Sequence, residues 1–120
     1  MSIAFAEVGA DLMLVDINKE GMQETAEHIE KLGQKAIPVV CDVSDPAQIR
    51  AMFAQLDRAY GRIDVVGNVA GEGYLGPPEE SPLEQLQQTL DNLVIGRFCC
   101  CQEAGRRMLA AGKGSIINLR

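Results

Sequence analysis

At 120 residues, 47% of them hydrophobic, the chain is near the usual size of one domain and can bury a core of its own. Seventeen acidic residues against eleven basic give a formal charge of −6, and no Lys/Arg cluster forms a basic stripe, which argues against nucleic acid and anionic membrane as partners. No apolar run approaches the roughly 18 residues of a membrane span, and Met1-Ser2-Ile3-Ala4 lacks the charged start and cleavage site of a signal peptide. The expectation is one soluble, cytoplasmic domain.

In chain order the segments alternate between helical and strand patterns. Met1–Val8 reads as the tail of a helix, stopped by Gly9 where a left-handed residue is favoured. Leu12-Met13-Leu14-Val15 is a short continuous apolar run suited to a strand buried on both faces. Helical spacing then runs from Asn18 or Lys19 through Met22, Ala26, Ile29 and Leu32 to Gly33. Ala36–Cys41 is the next strand, with Pro38 arguing for the sheet edge, where a missing N–H is tolerated. Asp45-Pro46, an N-cap followed by proline, opens a helix through Ile49, Phe53 and Leu56 that Gly61 closes.

Ile63–Val66 reads as the third strand and Gly71–Ser81 as a Gly/Pro-rich loop. Ser81-Pro82-Leu83-Glu84 has the form of a capping box that starts a long helical region reaching Met108 or Ala111. Ser115–Leu119 is a fourth strand. Alternation of this kind specifies a parallel, doubly wound α/β sheet of the Rossmann type with right-handed crossovers. No internal period and no linker divides the chain.

The cysteines, Cys41 and the run Cys99-Cys100-Cys101, have the spacing of neither a zinc site nor a disulfide framework, and are expected to be reduced core residues with no metal bound. His28, among Glu27, Glu30 and Lys31, is expected on the wet side of its helix.

The stretch Asp64-Val65-Val66-Gly67-Asn68-Val69-Ala70-Gly71 resembles the Asn-Asn-Ala-Gly signature of the short-chain dehydrogenase/reductase family, with Val69 in place of the second Asn. The resemblance extends over essentially the whole chain and implies an NAD(P)-dependent oxidoreductase that interconverts an alcohol and a ketone by hydride transfer. It implies that Asp16, at the end of the first visible strand, accepts hydrogen bonds from the adenosine ribose and repels a 2′-phosphate. With Ile17 and Asn18 beside it and no Arg, that favours NAD over NADP, although Lys19 is near. Cys41-Asp42-Val43 resembles the family's Asp-Val pair at the adenine ring; Asp45 is already the helix cap, so Asp42 is the better ligand candidate. Asn68 is implied to be half structural and half functional. Ala70 and Gly71 let backbone approach the cofactor ribose.

Gly67-Asn68-Val69-Ala70-Gly71-Glu72-Gly73 formally fits a Gly-x-x-x-Gly-x-Gly phosphate loop, but such a loop needs a helix directly after it, and Tyr74-Leu75-Gly76-Pro77-Pro78 cannot begin one. By the resemblance, the true phosphate loop and the first, central strand fall before Met1, and the catalytic Ser falls one residue beyond Arg120. Neither Tyr60 nor Tyr74 has Lys four residues later, so the Tyr-x-x-x-Lys pair is not within these residues. The family's remaining catalytic Asn lies in the helical pattern Asn-x-x-Gly-x-Phe. Here Gly96-Arg97-Phe98 aligns Leu93 with it, and Asn92 stands one place early, a rotation of about 100° on a helix. A one-residue bulge would restore the register.

The expectation is therefore a partial copy of an NAD-dependent dehydrogenase, inactive alone. The alternatives are a non-catalytic fragment that associates with other subunits, for instance as a homo-oligomer through the long helix, and a small nucleotide-binding module. A small-molecule alcohol or ketone is the implied substrate of the complete form, with Tyr74 and Leu75 at its edge.

Overall fold

Three glycines end helices where the sequence places them. Gly9, Gly33 and Gly61 have φ of +94°, +86° and +65°, a left-handed backbone that closes a helix at little cost only when there is no Cβ. The computed structural model describes residues 1–119, and the chain falls into two compact units, Met1–Asp42 and Val43–Arg120.

The first unit contains α1 (Ser2–Glu7), β1 (Leu12–Asp16), α2 (Lys19–Lys31) and β2 (Ala36–Val40). β1 and β2 pair in parallel from Leu12 opposite Ala36 to Asp16 opposite Val40. β2 stops at Val40, one residue short of the expected Cys41, and among the described residues it pairs with β1 alone, which leaves Pro38 on a sheet edge. Asn18 caps α2 by accepting from the Gly21 N–H. Its apolar stripe then buries Met22, Ala26 and Ile29 against Ala6 and Leu14, which form the core of this unit. His28 is exposed, as its acidic surroundings suggest.

The second unit contains α3 (Pro46–Ala59), β3 (Val65–Asn68), a 3₁₀ turn (Pro78–Glu80), α4 (Leu83–Leu90), a π-turn (Asp91–Gly96), α5 (Arg97–Ala111) and β4 (Ser115–Asn118). β3 and β4 are parallel, with Val65 opposite Ser115 and Asn68 opposite Asn118. Asp45 caps α3 through the Ala47 N–H, and Pro46 takes the first turn. α3 buries Ile49, Met52, Phe53 and Leu56 and packs on α5, whose buried residues include Cys99, Cys100, Ala104 and Met108.

Two expectations need correction here. The third strand begins at Val65 rather than Ile63: Arg62 and Asp64 form an exposed side-chain pair before it, and the bond from the Ser115 N–H to the Asp64 carbonyl opens the ladder at Val65. The Ser81 capping box does not form: its hydroxyl donates to the Pro77 carbonyl, and α4 starts after Pro82 with no side-chain cap. The long helical region runs from Leu83 to Ala111, with a π-turn at Asp91–Gly96 inside it.

A charged network ties α5 to α3. The Arg107 guanidinium sends one pair of nitrogens to the two Asp57 oxygens, at 2.8 Å each, and another nitrogen to Glu103, while lying 5.0 Å over the Phe53 ring. Glu103 is buried, 8% exposed, and also takes Arg106 at 2.8 Å and Arg50 at 3.9 Å. A buried carboxylate is tolerated because three arginines surround it. Among the described residues no helix is long and apolar enough to cross a membrane.

Candidate functional site

In the first unit the expected ligand residues gather at the carboxyl end of the strand pair. Asp16 ends β1, and its carbonyl accepts the Cys41 N–H, which places Asp42 just past the neighbouring strand's end. Asp16 is exposed; one of its carboxylate oxygens accepts the Asn18 N–H at 3.1 Å and shapes the turn, while the other has no partner among the described residues. Ile17 next to it is 65% exposed, an apolar surface beside an acceptor. Both Asp42 and Lys19 are exposed. The carboxyl end of a parallel sheet is where doubly wound folds bind ligands, since strand ends turn into loops there and helices begin.

In the second unit Asn68 is buried, and its amide donates to the Asn118 side-chain oxygen at 2.8 Å and to the Cys101 sulfur at 3.4 Å. The Cys101 thiol in turn faces the same Asn118 oxygen at 3.8 Å. Asn68 thus links β3, β4 and α5 with every polar atom of its amide nitrogen side engaged inside the protein. Its neighbours Ala70 and Gly71 carry the chain away from the sheet, Gly71 with φ of +124°. The backbone angle at Gly71 favours glycine, and a methyl group there would lie 2.8 Å from Leu93 Cδ2, so that Leu93 would have to shift.

The π-turn sits against this turn. Asn92 donates its side-chain amide to the Gln88 carbonyl at 3.0 Å, four residues back on its own helix. Leu93 is the side chain that meets Gly71 and Gly73. On the other flank, a Cβ at Gly96 would stand 1.8 Å from the Val43 carbonyl oxygen, so the Val43 backbone lies directly on the helix. The sequence pattern flags Gly96 and Val43 separately; nothing in it signals that they touch, because they are far apart in the chain.

An open cleft runs between the loop of Glu72, Tyr74 and Leu75 and the face of α4 that carries Gln85, Gln88 and Thr89. The Tyr74 N–H donates to the Thr89 hydroxyl, which itself donates to the Gln85 carbonyl, and this fixes the loop on the helix.

Parallel strand pairs joined by helices, with acidic and glycine-bearing turns at the carboxyl ends of the strands, define the Rossmann-like class of nucleotide-binding folds. The family model described as Enoyl-(Acyl carrier protein) reductase matches residues 1–120. D-threitol dehydrogenase of Mycolicibacterium smegmatis is 37% identical over 97% of this chain and 45% of its own length. The NAD-dependent glycerol dehydrogenase of Listeria innocua is 33% identical over 99% of this chain and 46% of its own. Among solved structures, a short-chain dehydrogenase/reductase from Mycobacterium marinum superposes with a TM-score of 0.91 at 35% identity, covering 98% of this chain and 48% of that one. An NAD+-bound xylitol dehydrogenase gives 0.92 at 27% identity, covering 98% and 45%. The chain belongs to the short-chain dehydrogenase/reductase family. It spans a little under half the length of these relatives.

Proposed function

We propose that this chain carries the adenosine-side recognition residues of an NAD-dependent oxidoreductase that interconverts an alcohol and a ketone, and that these 120 residues alone do not turn over substrate. The observation that carries the reading is Asp16, whose carboxylate stands at the end of β1 with one oxygen shaping the turn and the other without a partner among the described residues. That oxygen suits the paired hydroxyls of a ribose and repels a 2′-phosphate, so NAD is preferred to NADP. Ile17 and Asp42 belong to the same end of that unit; in the second unit, taken by itself, the family resemblance assigns a cofactor role to Val43 and to Ala70 and Gly71, with Asn68 holding β3 just before that pair. The dinucleotide, when bound, would supply the hydride-transfer chemistry. Asn92 spends its amide on Gln88, and we assign it to the helix rather than to a proton relay. The names of the relatives, dehydrogenases of threitol, glycerol and xylitol, support a small polyol as the alcohol, with the amide- and hydroxyl-lined cleft beside Tyr74 as its edge.

The test is a titration of the 120-residue chain with NADH and NADPH, read by heteronuclear NMR so that millimolar affinity registers. NADH is expected to shift the amides after Asp16 at about tenfold lower concentration than NADPH, and Asp16→Ala is expected to remove that preference. Equal response to both nucleotides, or turnover by the chain alone, sinks the reading.

A second reading, association through the long helix, rests on a stripe of exposed apolar side chains. Leu83, Leu86, Leu90, Val94 and Phe98 recur at helical spacing and are 78, 53, 41, 53 and 63% exposed. Light scattering is expected to show a mass above that of one chain, reduced to one chain by Phe98→Glu; a monomeric wild type excludes it.

A further inference from the structure

Two turns of the second unit rest on one irregularity of the helix. Leu93 fills the space beside Gly71 and Gly73, where added methyl groups would come within 2.8 and 3.3 Å of its Cδ atoms. Gly96 lies under the Val43 carbonyl, with no room for a Cβ. Residues three apart on an α-helix point only about 60° apart, since each advances 100°. The wider π-turn advances roughly 82° per residue, so the same two positions diverge by about 115°. That divergence lets one short segment, Asp91–Gly96, meet two different turns at once.

We propose that the π-turn is a brace that sets the Val43 turn and the Gly71 turn together, with Leu93 and Gly96 as its positioning residues. Leu93, the ungapped match to the family's Asn, packs its side chain on Gly71 and Gly73. That these turns face the cofactor rests on the reading given under Proposed function; the brace itself rests on the contacts. Gly73 is held from the same side as Gly71, and Tyr74 just beyond is pinned by Thr89, so the segment following β3 depends on the helix rather than on the sheet for its path. Losing the Leu93 side chain removes the nearest contact of both glycines, leaving Asn92 backbone beside Gly71 and the Thr89 methyl beside Gly73, while Asn68 and the β3–β4 ladder keep their own bonds.

The test uses the 120-residue chain and amide ¹⁵N relaxation. In the wild type Gly71 and Gly73 are expected to be rigid, with order parameters near 0.85, about those of an ordered backbone. In Leu93→Ala they are expected to fall below about 0.6, the mobile range, while the amides of β3 stay rigid. Leu93→Met, which conserves volume, is expected to restore them. NADH affinity, measured well below the melting midpoint, is expected to drop about tenfold in Leu93→Ala and return in Leu93→Met, which a general loss of stability does not produce. Rigid glycines in a folded Leu93→Ala chain, or mobile ones in the wild type, overturn the proposal. Should Leu93→Ala not fold, Leu93→Val is measured with the same two outcomes. A wild type blind to NADH defeats the cofactor reading, while the order parameters still decide the brace.

Discussion

Gly96→Ala is expected to destabilise the protein by about 2 kcal/mol, whereas Gly105→Ala, nine residues along the same helical region, is expected to stabilise it. Helix propensity alone favours alanine over glycine by roughly 0.5–1 kcal/mol at an interior helical site. Gly105 has nothing within 4 Å of an added Cβ, so it collects that gain in full. Gly96 has ordinary helical angles, φ −62° and ψ −45°, so no backbone strain attends substitution there. Space decides it instead. The added Cβ would meet the Val43 carbonyl oxygen at 1.8 Å and the Val43 carbonyl carbon at 2.9 Å, and both are backbone atoms that cannot rotate aside as a side-chain end does. Overpacking costs about 1–3 kcal/mol, and a displacement of more than an ångström puts this site at the upper end. Urea unfolding of the two variants checks the pair: opposite signs are expected, and two stabilised variants would show that the Val43 turn yields freely.

Much of the architecture is readable because it is written in local rules. Gly9, Gly33 and Gly61 stop helices at positions where only an achiral residue is comfortable, and Asp45-Pro46 starts one by supplying an acceptor and giving up an N–H that has no helical partner. The Asn68–Gly71 turn is legible for the same reason, since small residues after an apolar run mark a strand that opens onto a ligand. What escapes is decided by contacts distant in sequence or by competition between local partners. Ser81 has the pattern of a capping residue, yet its hydroxyl finds the Pro77 carbonyl first, because the proline-rich loop folds back on itself. The apolar spacing through Leu90, Val94 and Phe98 is equally compatible with a straight helix and with one that holds a π-turn; the choice is made by Val43 and Gly71, which demand that Gly96 and Leu93 face apart. Nothing local in the sequence marks Glu103, because its burial depends on α3 bringing Arg50 beside it and Asp57 beside its partner Arg107.

That charged network carries the other large effect. Arg107→Ala is expected to cost about 3 kcal/mol in urea unfolding. The substitution removes a two-nitrogen bond to Asp57, a bond to the Glu103 carboxylate and another to the Glu103 carbonyl, and the guanidinium that lies over Phe53. Breaking a buried pair costs roughly 3–5 kcal/mol when the remaining charge is left uncompensated. Here Arg106 and Arg50 still face Glu103, which holds the loss near the lower end. Arg107→Lys keeps the charge and loses the planar fork, so it is expected to fall between the two. Acid supplies an independent check through Asp57, whose carboxyl is held below its ordinary range first by the hydrogen bonds from Arg107. A carboxyl depressed in the folded state stabilises the fold above its unfolded value, about 3.9, and loses that contribution as pH falls through the folded value. The stability difference between wild type and Asp57→Asn is therefore expected to be present at neutral pH and to fade as pH drops through the lowered folded value of Asp57. Because the Asp57 side chain is half exposed, solvent keeps this difference well below that of Arg107→Ala. A gap that persists unchanged into acid would mean that Asp57 acts through its shape, and that Arg107 holds α5 to α3 through Glu103 and Phe53 alone.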